Sequence, residues 1–117
     1  MAKKYANYRN PSVHSVSGAV TCVKNGKDHN VTAGMRLNGL SSIKTGPGAK
    51  AAIILDDGAK KGKLCGLAVG GGAVVNIASG ASGITVEIAS GPCTEIVAEQ
   101  DGKFPGGGAN AAMGIRG

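Results

Sequence analysis

The side chains in this sequence that could do chemistry are few and scattered. The two histidines, His14 and His29, stand fifteen residues apart with no cysteine or carboxylate at ligand spacing, so neither a metal site nor a cofactor is expected. Cys22, Cys65 and Cys93 each fall in a strand-like stretch (AVTCV, KLCGLAV, GPCTEIV) and read as small buried hydrophobes. Their odd count leaves at least one thiol unpaired, and whether the others bridge, within or between subunits, stays open. Serines and two histidines always permit a nucleophile, base and acid on paper, but no spacing supports the trio; no catalytic residue is assigned and no enzyme is expected. The glycine runs do not make a phosphate loop. GPGAK lacks the spacer and terminal Gly-Lys-Ser/Thr, GGGAVV lacks the GxGxxG spacing, and neither opens a helix. Asp56-Asp57-Gly58 ends an apolar run and reads as a solvated turn, and Asn30-Val31-Thr32 is a sequon that matters only on export.

What remains is binding chemistry, and it concentrates at the N-terminus, MAKKYANYRNPSVHSV. Lys3, Lys4 and Arg9 are suited to acidic groups on a partner, Tyr5 and Tyr8 to apolar depressions, and Pro11 to stiffening the exit into the body. Ordering sixteen such residues costs about 1–2 kcal/mol each, roughly 16–32 kcal/mol in all. The two tyrosines contribute about 10 kcal/mol together, and only when a surface covers them. The segment is therefore expected to be an arm received by another molecule; the alternatives are a packing contact or an arm folded back on its own body.

The whole chain carries thirteen Lys and Arg against seven Asp and Glu, a net charge of +6, which favours an acidic partner. Nucleic acid ranks below an acidic protein surface, because only the N-terminal segment interleaves aromatic with basic residues. A membrane is not expected either. LCGLAVGGGAVVNIA (64–78) is short, broken by glycine and interrupted by Asn76, and the N-terminus lacks the apolar core of an export signal, so production in the cytoplasm without export is expected.

These side chains must be positioned by strands. The 117 residues make one domain that is 42% hydrophobic, yet the aromatics are only Tyr5, Tyr8 and Phe104, and 21 residues are glycine, so the core must be built from Ala, Val and Ile with helix scarce. The alternation predicts strands over 15–24, 31–37, 40–45, 49–58, 60–69, 73–80, 83–91, 93–104 and 111–117. Turns are expected at Asn25-Gly26, Gly46-Pro47-Gly48 and Asp101-Gly102. Ile84, Val86 and Ile88 face inward on the cleanest of these strands, and Ala51 to Leu55 supply the other half of the core. The expected fold is all-β, a small single-domain sandwich or barrel, with an extended N-terminal arm at 1–14, a body at 15–117 and a glycine-rich linker at 105–110.

Two resemblances attach to these segments. Gly18, Ala33-Gly34 before Leu37, Thr45-Gly46-Pro47-Gly48-Ala49, Asp57-Gly58 and the closing Met113-Gly114-Ile115-Arg116-Gly117 resemble FecR-type sensor domains. That likeness implies a monomeric sensing or ligand-binding β module of the cell envelope. Over its whole length, through VTAGMRL, CGLAVGGG, ITVEIASGPC, EQDGKF and AAMGIRG, the chain is similar in plan to the small head decoration, or cement, proteins of tailed bacteriophages. This second likeness implies a β-rich homotrimer seated on the major capsid protein, on the outside of the virion. The absence of an export signal and anchor puts the decoration reading first, with a subunit of another extended polymer, such as a filament or sheath, as a third class.

Overall fold

Gly18 divides what reads as one strand over 15–24 into two. Its φ of 78° lies in the left-handed region, and a Cβ there would stand 3.1 Å from Ala49 Cα, so a side chain would be strained on both counts. The chain bends at that point and passes from one sheet to another. A computed structural model describes residues 3–105, and within them ten strands form: β1 (Lys3–Tyr8), β2 (Ser12–Ser17), β3 (Val20–Lys24), β4 (Lys27–Asn30), β5 (Leu40–Thr45), β6 (Lys50–Ile54), β7 (Leu64–Val69), β8 (Val74–Gly80), β9 (Gly83–Ser90) and β10 (Cys93–Val97).

The strands build two antiparallel sheets, one of six in the order β1-β9-β8-β5-β3-β4 and one of four in the order β10-β7-β6-β2. The protein is all-β, and of the two expected closures it adopts the sandwich. Chain neighbours pair as hairpins (β3–β4, β6–β7, β8–β9), while the links β1–β2, β2–β3, β5–β6, β7–β8 and β9–β10 cross between sheets. The inward residues alternate as read: Ile84, Val86 and Ile88 on β9 meet Val75 and Ile77 on β8, and across the gap lie Ala51, Ile53, Leu67 and Val69. Val20 and Cys22 are buried as expected, and Val13, assigned to the arm by sequence, is 1% exposed within the same core.

The expected strand at 31–37 is instead a loop, because its backbone bonds to Pro11 and the start of β2 in isolated places rather than in a ladder. Val13 N donates to Met35 O (2.8 Å), Gly34 N to Val13 O (2.7 Å) and Leu37 N to Pro11 O (3.0 Å), while Arg36 forms an isolated bridge with Ser12. After β10 the expected second strand towards Phe104 is a turn with one bridge, Gln100 to Lys103. This turn lays Phe104 on the outer face of the four-stranded sheet, over Gly66, where any Cβ would overlap the ring and lie 2.5 Å from Ile53 O. A second, smaller apolar cluster forms there from Ala59, Cys65, Ala68, Ile96, Ala98 and Phe104. The buried Thr45 hydroxyl closes the sandwich's glycine-rich end, donating to Gly70 O at 2.6 Å and accepting from Ala73 N at 2.9 Å. The linker beyond 105 and the strand expected at 111–117 lie outside the described residues.

Over its described residues, 3–14, the expected arm does not project. Lys3–Tyr8 is an edge strand of the six-stranded sheet, with Lys3 opposite Ile88, Tyr5 opposite Val86 and Tyr8 opposite Ile84, and β2 begins at Ser12. The entropic cost weighed against an outside partner is met here by a ladder to β9 and by one buried ring.

Candidate interaction site

Of the six residues expected to bind a partner, the structure keeps three on the open surface, Lys3, Lys4 and Arg9. Tyr5 and Pro11 are withdrawn from that role. Tyr5 is 7% exposed because strand alternation turns it inward opposite Val86, and Pro11 is among the fully buried side chains, held where its carbonyl accepts from Leu37 N. Neither can enter a partner's depression without leaving its own core. Lys3 stays exposed but already has a carboxylate, and Tyr8 is half-buried against the core.

Lys3, Tyr5 and Glu95 form a latch at the open side of the sandwich. Lys3 Nζ lies 2.8 Å from Glu95 Oε2, Tyr5 OH donates to the same oxygen at 2.9 Å, and Lys3 Nζ stands 5.7 Å from the centre of the Tyr5 ring. Because β1 edges one sheet and β10 the other, this carboxylate ties the two sheet edges together. The electrostatics follow from the geometry. The Lys3 and Tyr5 hydrogen bonds hold the Glu95 carboxyl below the usual carboxylate range. Its bond to Glu95 raises Lys3, and burial followed by the Glu95 bond pushes Tyr5 up to about 12. Burial first, then the Glu95 charge, raises the adjacent Cys93 thiol to about 11, which keeps it protonated and unreactive at neutral pH. Sequence reasoning missed Glu95: it lies ninety residues from Tyr5, and no spacing rule links them.

Tyr8 and Arg9 open onto a cleft of about 620 Å³, shared with Asn7, Asn10, Ile54, Asp56 and Asp57. Burial raises the Tyr8 phenol, with Asp56 and Glu95 adding to it. Both aspartates are engaged in the turn, as expected from the DDG sequence: Asp56 Oδ1 accepts from Gly58 N at 2.9 Å and Asp57 Oδ1 from Phe104 N at 2.9 Å. All three cysteines are free thiols, with Cys22 and Cys65 buried. Among the described residues no group of three His, Cys, Asp or Glu side chains is arranged to hold a metal ion, and no helix is long and apolar enough to cross a membrane.

The exterior is basic and unevenly neutralised. Among the described residues Lys3–Glu95 is the one ion pair, while Lys4, Arg9, Lys24, Lys27 and Lys44 are exposed. No family model, no curated protein and no solved structure matches the chain.

Proposed function

We propose that the protein is a structural binding module, a decoration or cement protein that docks on an acidic protein lattice of a virus shell and stabilises it. The observation that carries this reading is the exposed basic exterior, with a single internal ion pair among the described residues: charge that the fold does not neutralise there for itself is available to an acidic partner. The resemblance in plan to phage head decoration proteins adds the major capsid protein as partner, a homotrimer as the working form and the outer capsid surface as its place. In this reading Lys4 and Arg9 remain contact residues and the exposed sheet edges replace the arm. The test is co-sedimentation of the full chain with virus particles banded from the same source, with an immunoblot of the native particles. Retention at about 50 mM salt, release at several-fold higher salt and weaker retention of a Lys4→Glu/Arg9→Glu variant are expected, because exposed ion pairs are screened within a Debye length. Absence of the chain from native particles together with no added protein in the pellet would overturn the reading.

One observation favours a second reading, a FecR-like sensing or ligand-binding module. The N-terminal strand closes on its own body, so the described sheets need no strand from another chain. Light scattering separates the two: a monomer at every concentration, with no particle binding, favours the sensor.

A further inference from the structure

The strand pairing brings together three side chains that the sequence keeps apart. Cys22 on β3 lies directly opposite His29 on β4, which puts both on one face with their Cβ atoms about 4.5–5.5 Å apart. The loop between β4 and β5 then returns Met35 to the same place, so that Cys22 Sγ donates to Met35 Sδ at 3.9 Å. All three line one cavity of about 390 Å³, with Lys24, Asn30 and Arg36 also in its wall. The geometry points to a binding site for a soft monovalent metal ion, Cu(I) or its analogue Ag(I), held by the Cys22 thiolate, the Met35 thioether and the His29 imidazole.

Three arguments support this. The first is separation: two sulfur ligands about 2.3 Å from one ion, at trigonal to tetrahedral angles, stand about 3.8–4.0 Å apart, and the two sulfurs already do. The second is rigidity. The Met35 backbone is fixed by its carbonyl accepting from Val13 N at 2.8 Å and its amide donating to Thr32 O at 3.2 Å, while Cys22 is 2% exposed in the centre of a ladder between β4 and β5. The third is charge and softness. A thioether selects against hard cations, and thiolate, neutral imidazole and thioether around a monovalent ion make a neutral complex, whereas a divalent ion would leave a net positive charge beside Lys24 and Arg36. The Cys22 thiol donates to Met35 Sδ, so it enters the reaction protonated. Binding breaks the S–H bond, forms the S–metal bond and releases one proton to solvent, with no change of oxidation state.

The site stands independently of the lattice reading. The test uses the full chain with Cys93→Ser to remove the half-buried thiol, Ag(I) as probe in chloride-free buffer, calorimetry, and NMR of the methionine methyl groups. One equivalent is expected to bind, shifting the Met35 methyl and the His29 ring while Met1 and Met113 stay in place. Met35→Leu, which conserves volume, and His29→Gln, at an exposed position, should fold normally and each weaken Ag(I) binding about tenfold or more. Zn(II) should bind more weakly than Ag(I). Binding unchanged in both variants, a shift at Met113 in place of Met35, or no binding at micromolar Ag(I) would overturn the assignment.

Discussion

Replacing Tyr5 by alanine tests whether the N-terminal segment is a strand of the fold or an appendage. The ring is 7% exposed, so about 200 Å² leaves water on folding, worth up to about 5 kcal/mol at 25 cal/mol per Å² against an extended chain. The hydroxyl's bond adds little, since Glu95 keeps its pairing with Lys3 when the phenol is removed. A loss of about 3–4 kcal/mol is expected, a large part of the stability of a domain this size. Release of β1 alone sets a ceiling on that loss, because a detached Lys3–Tyr8 leaves the other nine strands paired. Urea unfolding followed by far-UV circular dichroism gives the magnitude, and amide exchange gives the location. The β9 amides that bond to β1 should exchange faster while those that bond to β8 keep their protection. A change under about 1 kcal/mol with all β9 amides unaltered would refute the account of Tyr5 as the anchor of that strand.

Two further outcomes follow from the same contacts. Tyr5 is pushed up to about 12 in the fold against about 10 when unfolded, so folding favours the neutral phenol; its contribution is intact below pH 10 and falls away through pH 12, by up to about 3 kcal/mol. The urea midpoint should drop more steeply over that window in the wild type than in Tyr5→Phe, and matching slopes would remove the argument. Gly66→Ala should cost about 1–3 kcal/mol, since its methyl must displace Phe104 or the Ile53 backbone, with the thermal midpoint as readout and an unchanged midpoint as the contrary result.

Much of the fold was legible because alternation with a buried face leaves a strong trace. GITVEIASG and LSSIKT became strands within a residue of the expected limits, and the Asn25-Gly26 turn closes a hairpin as its residues demand. The N-terminus was misread for a physical reason. KKYANY has one fully buried ring and one half-buried ring in six residues, too little to declare a strand, and the rest of its stabilisation comes from hydrogen bonds to β9, about eighty residues away in sequence. Local pattern carries no information about a ladder of that kind. The same limit hid Glu95 beneath Tyr5 and Met35 beside Cys22, since both pairings arise only after the sheets are assembled. The 31–37 stretch failed in the opposite direction: VTAGMRL has strand-like residues, but its amides find Val13 and Pro11 singly, and a loop results.

The loss of the arm changes what a lattice-binding role would require. An arm with two aromatic anchors would concentrate affinity in a few buried groups, whereas Tyr5 is now in its own core and Lys4 and Arg9 are left as solvated charges. An exposed ion pair contributes about 0.2–1 kcal/mol, and micromolar binding needs about 8 kcal/mol, so no single basic patch on this surface reaches it. Repetition removes the shortfall. Linked copies on a regular array bind their second and third sites at high effective concentration, and weak contacts then combine into tight attachment. The proposed role therefore depends on oligomerisation: disruption of the proposed trimer should abolish shell binding even with every basic side chain in place, and full binding by a dispersed monomer would show that affinity resides in contacts other than these charges.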